Sequence, residues 1–551
     1  MLKLIPSITL VFLLGFYANL AYPQSKQAPV RYELPIGSGY ATVNKVDMGE
    51  KGLCLIYPTT ETTAKDSTVW AINYRNSNLE NVWVINITFG KNVKYIYAEY
   101  DQLEIYFLFH DVKESENDNL LVYAVNADSL TSRSHTTKIP DNSQINSVLY
   151  NNGIFWLSYH KQKYGTGIIG VGANTDFTKN IIFQNPANTI VLDISPNYSK
   201  NGFWVVYKEN EKNNHNTLFC SQYTNSGTQI STQEIKTSHN WKFINSAQFV
   251  ATSDNSGLIA GSYGYNDKDS RRPTYNDYYY SYYNPFFYRY NPYYYRSYYN
   301  YDANTDNTPV SEGFFAVSRK NNRFDSIRYY PFGNFTDSYK YITDQEAIVA
   351  SVKSAKTDKQ DTRNKKSAPS LQLRLIMHDL YYADNQLIVV AESYLPEYRS
   401  RTTSSYDYYG GLYPNTYYVF DGFRYSNAFI AGFDSDANMI WNNGIEMNDI
   451  LTPFLNKKLN LLFNADEIVL FYNANAKIAY KSIIGAEQAE PISYTKIQSR
   501  WNTDKLNEEY KGSIEYWYDD FFIVSGYQKI YNDYMHKSDR HVFYLQKMAF
   551  R

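Results

Sequence analysis

Residues 95–140 read YIYAEYDQLEIYFLFHDVKESENDNLLVYAVNADSLTSRSHTTKIP. Four runs rich in Tyr, Phe, Ile, Leu, Val and Thr alternate with clusters of Asp, Asn, Ser and Gln, the composition of short strands joined by tight turns. The second run, from Ile105 to Phe109, is apolar at every position. A strand with one face in water would alternate, so this one is buried on both faces.

The same motif, a turn followed by a compact apolar run, recurs along the chain. It begins at Gly52, Leu103, Gly153, Gly202 and Gly257, then at Leu387, Glu467 and Asp520. The first five starts lie about fifty residues apart, a spacing typical of repeat architectures. The later gaps shrink toward the same unit once residues 267–311, 343–369 and 398–422 are set aside. Four-stranded units with two-sided inner strands suit a β-propeller, whose blades stack face to face and meet water only at their outer strands. The expected fold is all-β: one propeller of seven or eight four-stranded blades, eight by the count of motifs. The last unit, 514–550, supplies only three strands. The missing fourth is VRYELP at 30–35, which would close the ring by pairing the two ends of the chain. An outer-membrane β-barrel is the competing fold, but barrel strands alternate over about ten residues and these inner runs do not.

Composition narrows the function classes. The net charge is −2 with Lys and Arg spread throughout, so there is no basic face for a phosphate backbone, and nucleic acid is not an expected partner. Residues 1–21 carry Lys3, an apolar run from Ile8 to Phe16 and small residues at Ala18 and Ala21, the pattern of a secretory signal peptide. No later run is long enough for a transmembrane helix. The expected location is periplasm, cell surface or exterior, with peripheral envelope association allowed. Cys54 and Cys220 are the only cysteines, too few for a disulfide framework, and each falls in the apolar strand pattern of a different repeat, as a buried free thiol would.

The most unusual stretch is 275–301, YNDYYYSYYNPFFYRYNPYYYRSYYNY, with fourteen Tyr in 27 positions. It lacks the aliphatic residues of a core yet carries too much aromatic area for an ordinary solvated linker. Counting strands places 267–311 between the second and third strands of the fifth unit. A second Tyr-rich insertion, 398–422, takes the equivalent place in the sixth. Equivalent connections in adjacent blades emerge on one face, so the two should form a joint aromatic patch. Its candidate binding residues are Tyr279, Tyr283, Phe286, Phe287, Arg289, Tyr290, Tyr294, Arg296 and Tyr298, with Tyr408, Tyr409, Tyr413 and Tyr417 from the second insertion. Between these units, Thr343-Asp-Gln-Glu346 is a capping-box pattern opening one short helix. A charged linker follows at 356–369.

No P-loop, GxGxxG, GxSxG, HExxH or CxxC pattern occurs, and no cofactor is implied. The densest polar constellation is His378-Asp379, Glu392, Glu397, Asp421 and Arg424 in the sixth unit. Two carboxylates beside aromatic platforms would suit a glycosidase-like hydrolase; the plainer reading is a strand hydrogen bond at His378 and solvated glutamates. Asp434-Ser-Asp436-Ala-Asn438 alternates oxygen side chains as a calcium loop does, but Met439 stands where the sharp turn needs Gly and Ile445 where a bidentate Glu is expected. It reads as a hairpin turn, and no metal site is expected.

Residues 373–398 (LRLIMHDLYYADNQLIVVAESYLPEY) and 417–443 (YYVFDGFRYSNAFIAGFDSDANMIWNN) resemble a pattern found in uncharacterised secreted β-propeller-like bacterial proteins. The resemblance implies an exported β protein and carries over no catalytic residue. The expected activity is non-enzymatic binding or scaffolding, with a protein or a cell-surface glycan on the Tyr-rich surface.

Overall fold

The computed structural model describes residues 30–37, 42–61, 66–112, 118–141, 143–161, 165–210, 216–236, 242–265, 309–336, 371–406, 412–447, 450–453, 455–463, 467–485, 491–532 and 536–549. Their strands form eight separate sheets at 44–90, 93–139, 144–182, 189–235, 242–331, 374–452, 460–496 and 505–549, which are the eight blades of a β-propeller. Separate sheets exclude the barrel, in which one sheet closes on itself.

Every repeat motif proves to be the second strand of a blade: Leu53–Pro58, Glu104–Asp111, Ile154–Lys161, Gly202–Asn210, Gly257–Tyr265, Gln386–Tyr406, Ile468–Ala474 and Phe521–Asn532. These strands are apolar on both sides because each is sandwiched between two seams. Phe203, Trp204, Val205 and Val206 are all at least 98% buried. The outermost strand Asn81–Gly90, by contrast, alternates between exposed and half-buried positions.

Eight apolar clusters fill the seams between consecutive blades, and the eighth joins blade 8 back to blade 1 through Leu53, Leu55, Trp517 and Phe543. Large rings bridge the seams. Trp156 of blade 3 lies 4.3 Å from Phe203 of blade 4, and Phe471 of blade 7 lies 4.5 Å from Phe522 of blade 8. Burying one such side chain stabilises by about 1.5–3 kcal/mol, so the ring is held chiefly by these seams. Cys54 and Cys220 are two of their residues, fully buried in the seams of blades 1–2 and 4–5.

A bulge recurs in the first strands of blades 2 to 5, where the register slips at Tyr95/Tyr97, Ile145/Ser147, Val191/Asp193 and Ile244/Ser246. A bulge adds local twist, which suits innermost strands crowded toward the axis.

Ring closure follows the expected route. Arg31–Pro35 pairs antiparallel with His536–Ala549 as the outermost strand of blade 8. Arg31 pins it from within: its guanidinium donates to Glu33 Oε1 (2.9 Å), the Gln498 carbonyl (3.0 Å) and Gln528 Oε1 (2.7 Å), and lies 4.3 Å from the Tyr544 ring centroid.

Blades 5 and 6 depart from the regular pattern. In blade 5 the outer position is shared by Arg323–Phe324 and Arg328–Pro331; in blade 6 the inner position is shared by Arg374–Met377 and Tyr381–Ala383. Among the described residues the only helical turns are the 3₁₀ segments Gly49–Lys51 and Phe332–Asn334. The short helix and charged linker expected within 343–369 lie outside the described residues.

Candidate functional site

The second and third strands of blade 6, Gln386–Tyr406 and Leu412–Phe433, run far beyond the blade. Their lower halves pair with the rest of the sheet. From about residue 395 to 420 they pair mainly with each other, as a two-stranded arm. Successive side chains of such a ribbon point to opposite faces. On one face Tyr394, Phe423, Phe420 and Tyr398 form a continuous aromatic row, with centroid separations of 5.6, 4.9 and 5.7 Å. On the other, Arg424 pairs with Glu397, and Arg399 with Asp421 at 2.8 Å.

The arm base is braced. Leu451–Thr452 pairs with Phe423 and Arg424, the Tyr425 amide donates to the Ile450 carbonyl, and the Tyr425 hydroxyl donates to the Asn456 carbonyl at 2.6 Å. Gly422 permits this approach: its φ is +152°, and a Cβ there would lie 2.9 Å from the Thr452 carbonyl oxygen. The aromatic face leans toward blade 7, because Tyr394, Phe420, Phe423 and Tyr425 pack in the seam with Ile450, Leu459 and Tyr472.

Blade 7 makes its own second-to-third connection with a two-residue turn, Asn475–Ala476, both at positive φ. A low turn beside a tall arm leaves a hollow. It is a cavity of about 60 Å³ lined by residues including Leu451, Thr452, Lys458, Asn473, Glu509, Tyr510 and Lys511. Burial lowers Lys458 to about 8, with Glu392 and Glu509 acting the other way, and burial likewise lowers Lys511 to about 8. Glu509 is fully engaged: it accepts from the Tyr544 hydroxyl (2.6 Å), Gln528 Nε2 (3.2 Å) and the Ala476 amide. A larger groove of about 430 Å³, lined by His135, Thr136, Thr137, Lys138, Asp176 and Thr178, runs between the rims of blades 2 and 3. Its walls are mostly exposed outer-strand and turn side chains, open to solvent.

The sequence candidates take different places. Glu392 is fully buried, unlike the solvated glutamate of the plainer reading: its Oε1 lies 2.6 Å from His378 Nε2 and accepts from the Lys458 and Leu459 amides at 2.7 and 2.8 Å. It ties blade 6 to the start of blade 7. Glu397 and Asp421 meet at the bulge of the arm base, each holding an arginine. A glycosidase pair needs two carboxyl groups facing one substrate bond, and these three are engaged with different partners. Asp434 directs its oxygens to the Asp436 and Asn438 amides and to Asn438 Nδ2, the geometry of a hairpin turn.

Tyr413 and Tyr417 lie on the arm's third-strand side; nothing is described of their side chains. Tyr408 and Tyr409, and Tyr279, Tyr283, Phe286, Phe287, Arg289, Tyr290, Tyr294, Arg296 and Tyr298, lie outside the described residues. The chain leaves the second strand of blade 5 at Tyr265 and enters the third at Gly313, the same interval that forms the arm in blade 6. Sequence reasoning did not single out Lys458, Asn473, Glu509 or Lys511, which three separate blade segments bring together. The one local signal is Lys457-Lys458 directly before the mostly apolar stretch Leu459-Asn-Leu-Leu-Phe463, which carries an ammonium toward a seam.

No protein-family model matches the chain, and no curated protein matches it. Solved structures to which it is similar include the polysaccharide lyase Uly1 (8% identity over 82% of this chain and 89% of that one, TM-score 0.35). Two others are the β-propeller domain of the Trilobed protease from Pyrococcus furiosus (6%, 82% and 98%, 0.32) and prolyl oligopeptidase B from Galerina marginata (7%, 89% and 56%, 0.37). The likeness is one of fold, and no functional residue is carried over from it.

Proposed function

We propose that this propeller is an exported, envelope-associated or extracellular binding and scaffolding protein, without catalytic activity, that contacts a protein or cell-surface glycan through its Tyr-rich face. The observation that carries the reading is the arm of blade 6, whose aromatic row is anchored by buried Tyr394 and Phe423 and presents half-buried Phe420 and exposed Tyr398. Tyr and Phe give large contact area with few torsions to freeze, and the arginines at 399 and 424 add directional donors along the opposite face. The 14 tyrosines of 275–301 belong to the connection of the neighbouring blade and would extend the same surface.

Deleting Asn276 to Asn300, and separately replacing 399–420 by a short turn, tests the reading by pull-down from the native envelope. Loss of the same captured molecule in both variants is expected. Identical captures by wild type and both variants would sink it.

A further inference from the structure

We infer that the hollow between blades 6, 7 and 8 is a sugar subsite, which receives the hydroxyl edge of a terminal monosaccharide while the rest of the glycan lies along the aromatic arm. The inference deepens the binding function proposed above and rests on it for the arm, though not for the hollow.

Two buried side chains at the hollow have unmet hydrogen-bonding capacity. Lys458 is 97% buried and can donate three hydrogen bonds, yet its ammonium makes one, to the Gly512 carbonyl at 3.4 Å. Asn473, equally buried, donates from Nδ2 to the Tyr544 hydroxyl at 3.2 Å and leaves its Oδ1 without a partner. The amide orientation is fixed, because Tyr544 spends its proton on Glu509 and can only accept from Asn473. A buried donor and a buried acceptor thus line one cavity, each costly to leave unsatisfied.

A hydroxyl is the group that answers both, since it accepts from an ammonium and donates to a carbonyl oxygen at once. The volume sets the scale. About 60 Å³ exceeds the roughly 10–15 Å³ that one water needs and admits a few hydroxyl-sized groups but no whole ring. The edge of a sugar meets that limit while its ring stays at the mouth. Tyr510 stands on the wall, and beyond the buried Tyr394 and Phe423 the arm offers half-buried Phe420 and Tyr398, which is 41% exposed. Such rings are the flat platforms on which sugar C–H faces pack. The titratable groups at the hollow are Lys458, Lys511, Glu509 and Tyr510, with Glu392 behind the Lys458 amide. The mixed signs suit a neutral polyol better than a lone anion.

The test is saturation-transfer NMR on the full chain with separate free hexoses, 6-deoxyhexoses, N-acetylhexosamines, uronic acids and pentoses. At least one sugar is expected to receive saturation most strongly at adjacent ring protons. Its apparent affinity should fall at least tenfold in Lys458→Met and in Asn473→Ala, and stay unchanged in Lys457→Met, a half-buried ion-pair partner of Asp379. The two cleft variants alter separate segments of blade 7, the entry to its first strand and its second strand, so one remains informative if the other fails to fold. No saturation with any sugar, or binding indifferent to both cleft substitutions, would overturn the subsite, as would capture of a peptide in place of a sugar by the hollow. The variant lacking 276–300 retains the hollow. Persistent sugar binding with unchanged envelope capture would therefore count against the proposed function and leave the subsite standing.

Discussion

His378 Nε2 lies 2.6 Å from Glu392 Oε1 with neither side chain more than 3% exposed, so the most prominent acid and base in the sequence form a clamp inside the ring. The clamp spans three blades: Gln248 of blade 5 donates to the His378 carbonyl at 3.1 Å and accepts from the Leu380 amide, while Glu392 accepts from the first amides of blade 7. Glu392→Ala should cost about 3–5 kcal/mol, the usual penalty for stripping one partner from a buried pair. Glu392→Gln, which keeps an acceptor for the two amides, should cost less. Urea titration measures both, and equal midpoints for wild type and alanine variant would refute the clamp.

Arg31 is the side chain on which the closing strand turns. Removing it leaves Gln528 and the Gln498 carbonyl without their donor and should cost about 2–4 kcal/mol in Arg31→Ala. Hydrogen exchange should show the amides of residues 542–546 opening faster than those of blade 4; uniform rates across both would contradict the assignment.

The two cysteines report on the seams. Burial pushes both thiols well up from their usual range, so a thiol reagent should modify neither in the native protein and both in denaturant. In Arg31→Ala, Cys54, one seam from the closure, should react sooner than Cys220. Rapid labelling of native wild type would show that the seams breathe far more than their packing suggests.

Gly422→Val should unseat the brace under the arm, because its Cβ would press on the Thr452 carbonyl from a backbone that valine avoids. A loss of about 2 kcal/mol is expected, confined to the arm base. Exchange at the Tyr425 and Arg424 amides should accelerate while blades 1 to 4 stay unchanged. A global fall in stability would mean that the arm is a structural part of the ring.

The depressed lysines give the protein an unusual alkaline response. Lys511, at about 8 when folded and in the ordinary lysine range when unfolded, binds fewer protons in the native state between those values. Stability must then rise with pH from about 8 toward 10, and the gain is lost as pH falls through 8. Lys458 acts in the same direction. Lys511→Met should flatten the slope by an amount on the order of 1 kcal/mol or more over that window, since each pKa unit is worth about 1.4 kcal/mol. Denaturation midpoints at pH 7.5, 8.5 and 9.5 would decide it, and parallel slopes for the two proteins would remove Lys511 from the account.

The blades were legible from sequence because burial on both faces writes itself as consecutive apolar residues, as in Phe203–Val206, and such runs cannot belong to a one-sided sheet. The closing strand was legible by shortage, since blade 8 lacks a partner that VRYELP supplies. Polar side chains that act across seams leave no such trace. Glu392 reads as a catalytic candidate or a solvated acid until Lys458 and Leu459 are folded over it, and the hollow that Lys458 and Asn473 of blade 7 share with Glu509 of blade 8 forms only once the blades stand side by side. The bulges at Tyr95/Tyr97 and its counterparts are hidden for another reason: a register slip is a property of two strands, and neither strand's composition records it.

The strand made first completes the blade made last. Arg31 and Gln546 are 515 positions apart when they bond, so a chain emerging N-terminus first must carry Arg31–Pro35 unpaired until its final residues appear. Contacts of that span slow folding, because the whole intervening loop has to be closed before they reward it. Until then the ring is an open arc whose seam between blades 8 and 1 lacks its closing strand. Once shut, the first described strand is locked inside the last blade, and the lifetime of the ring is set by how rarely that blade lets the strand go.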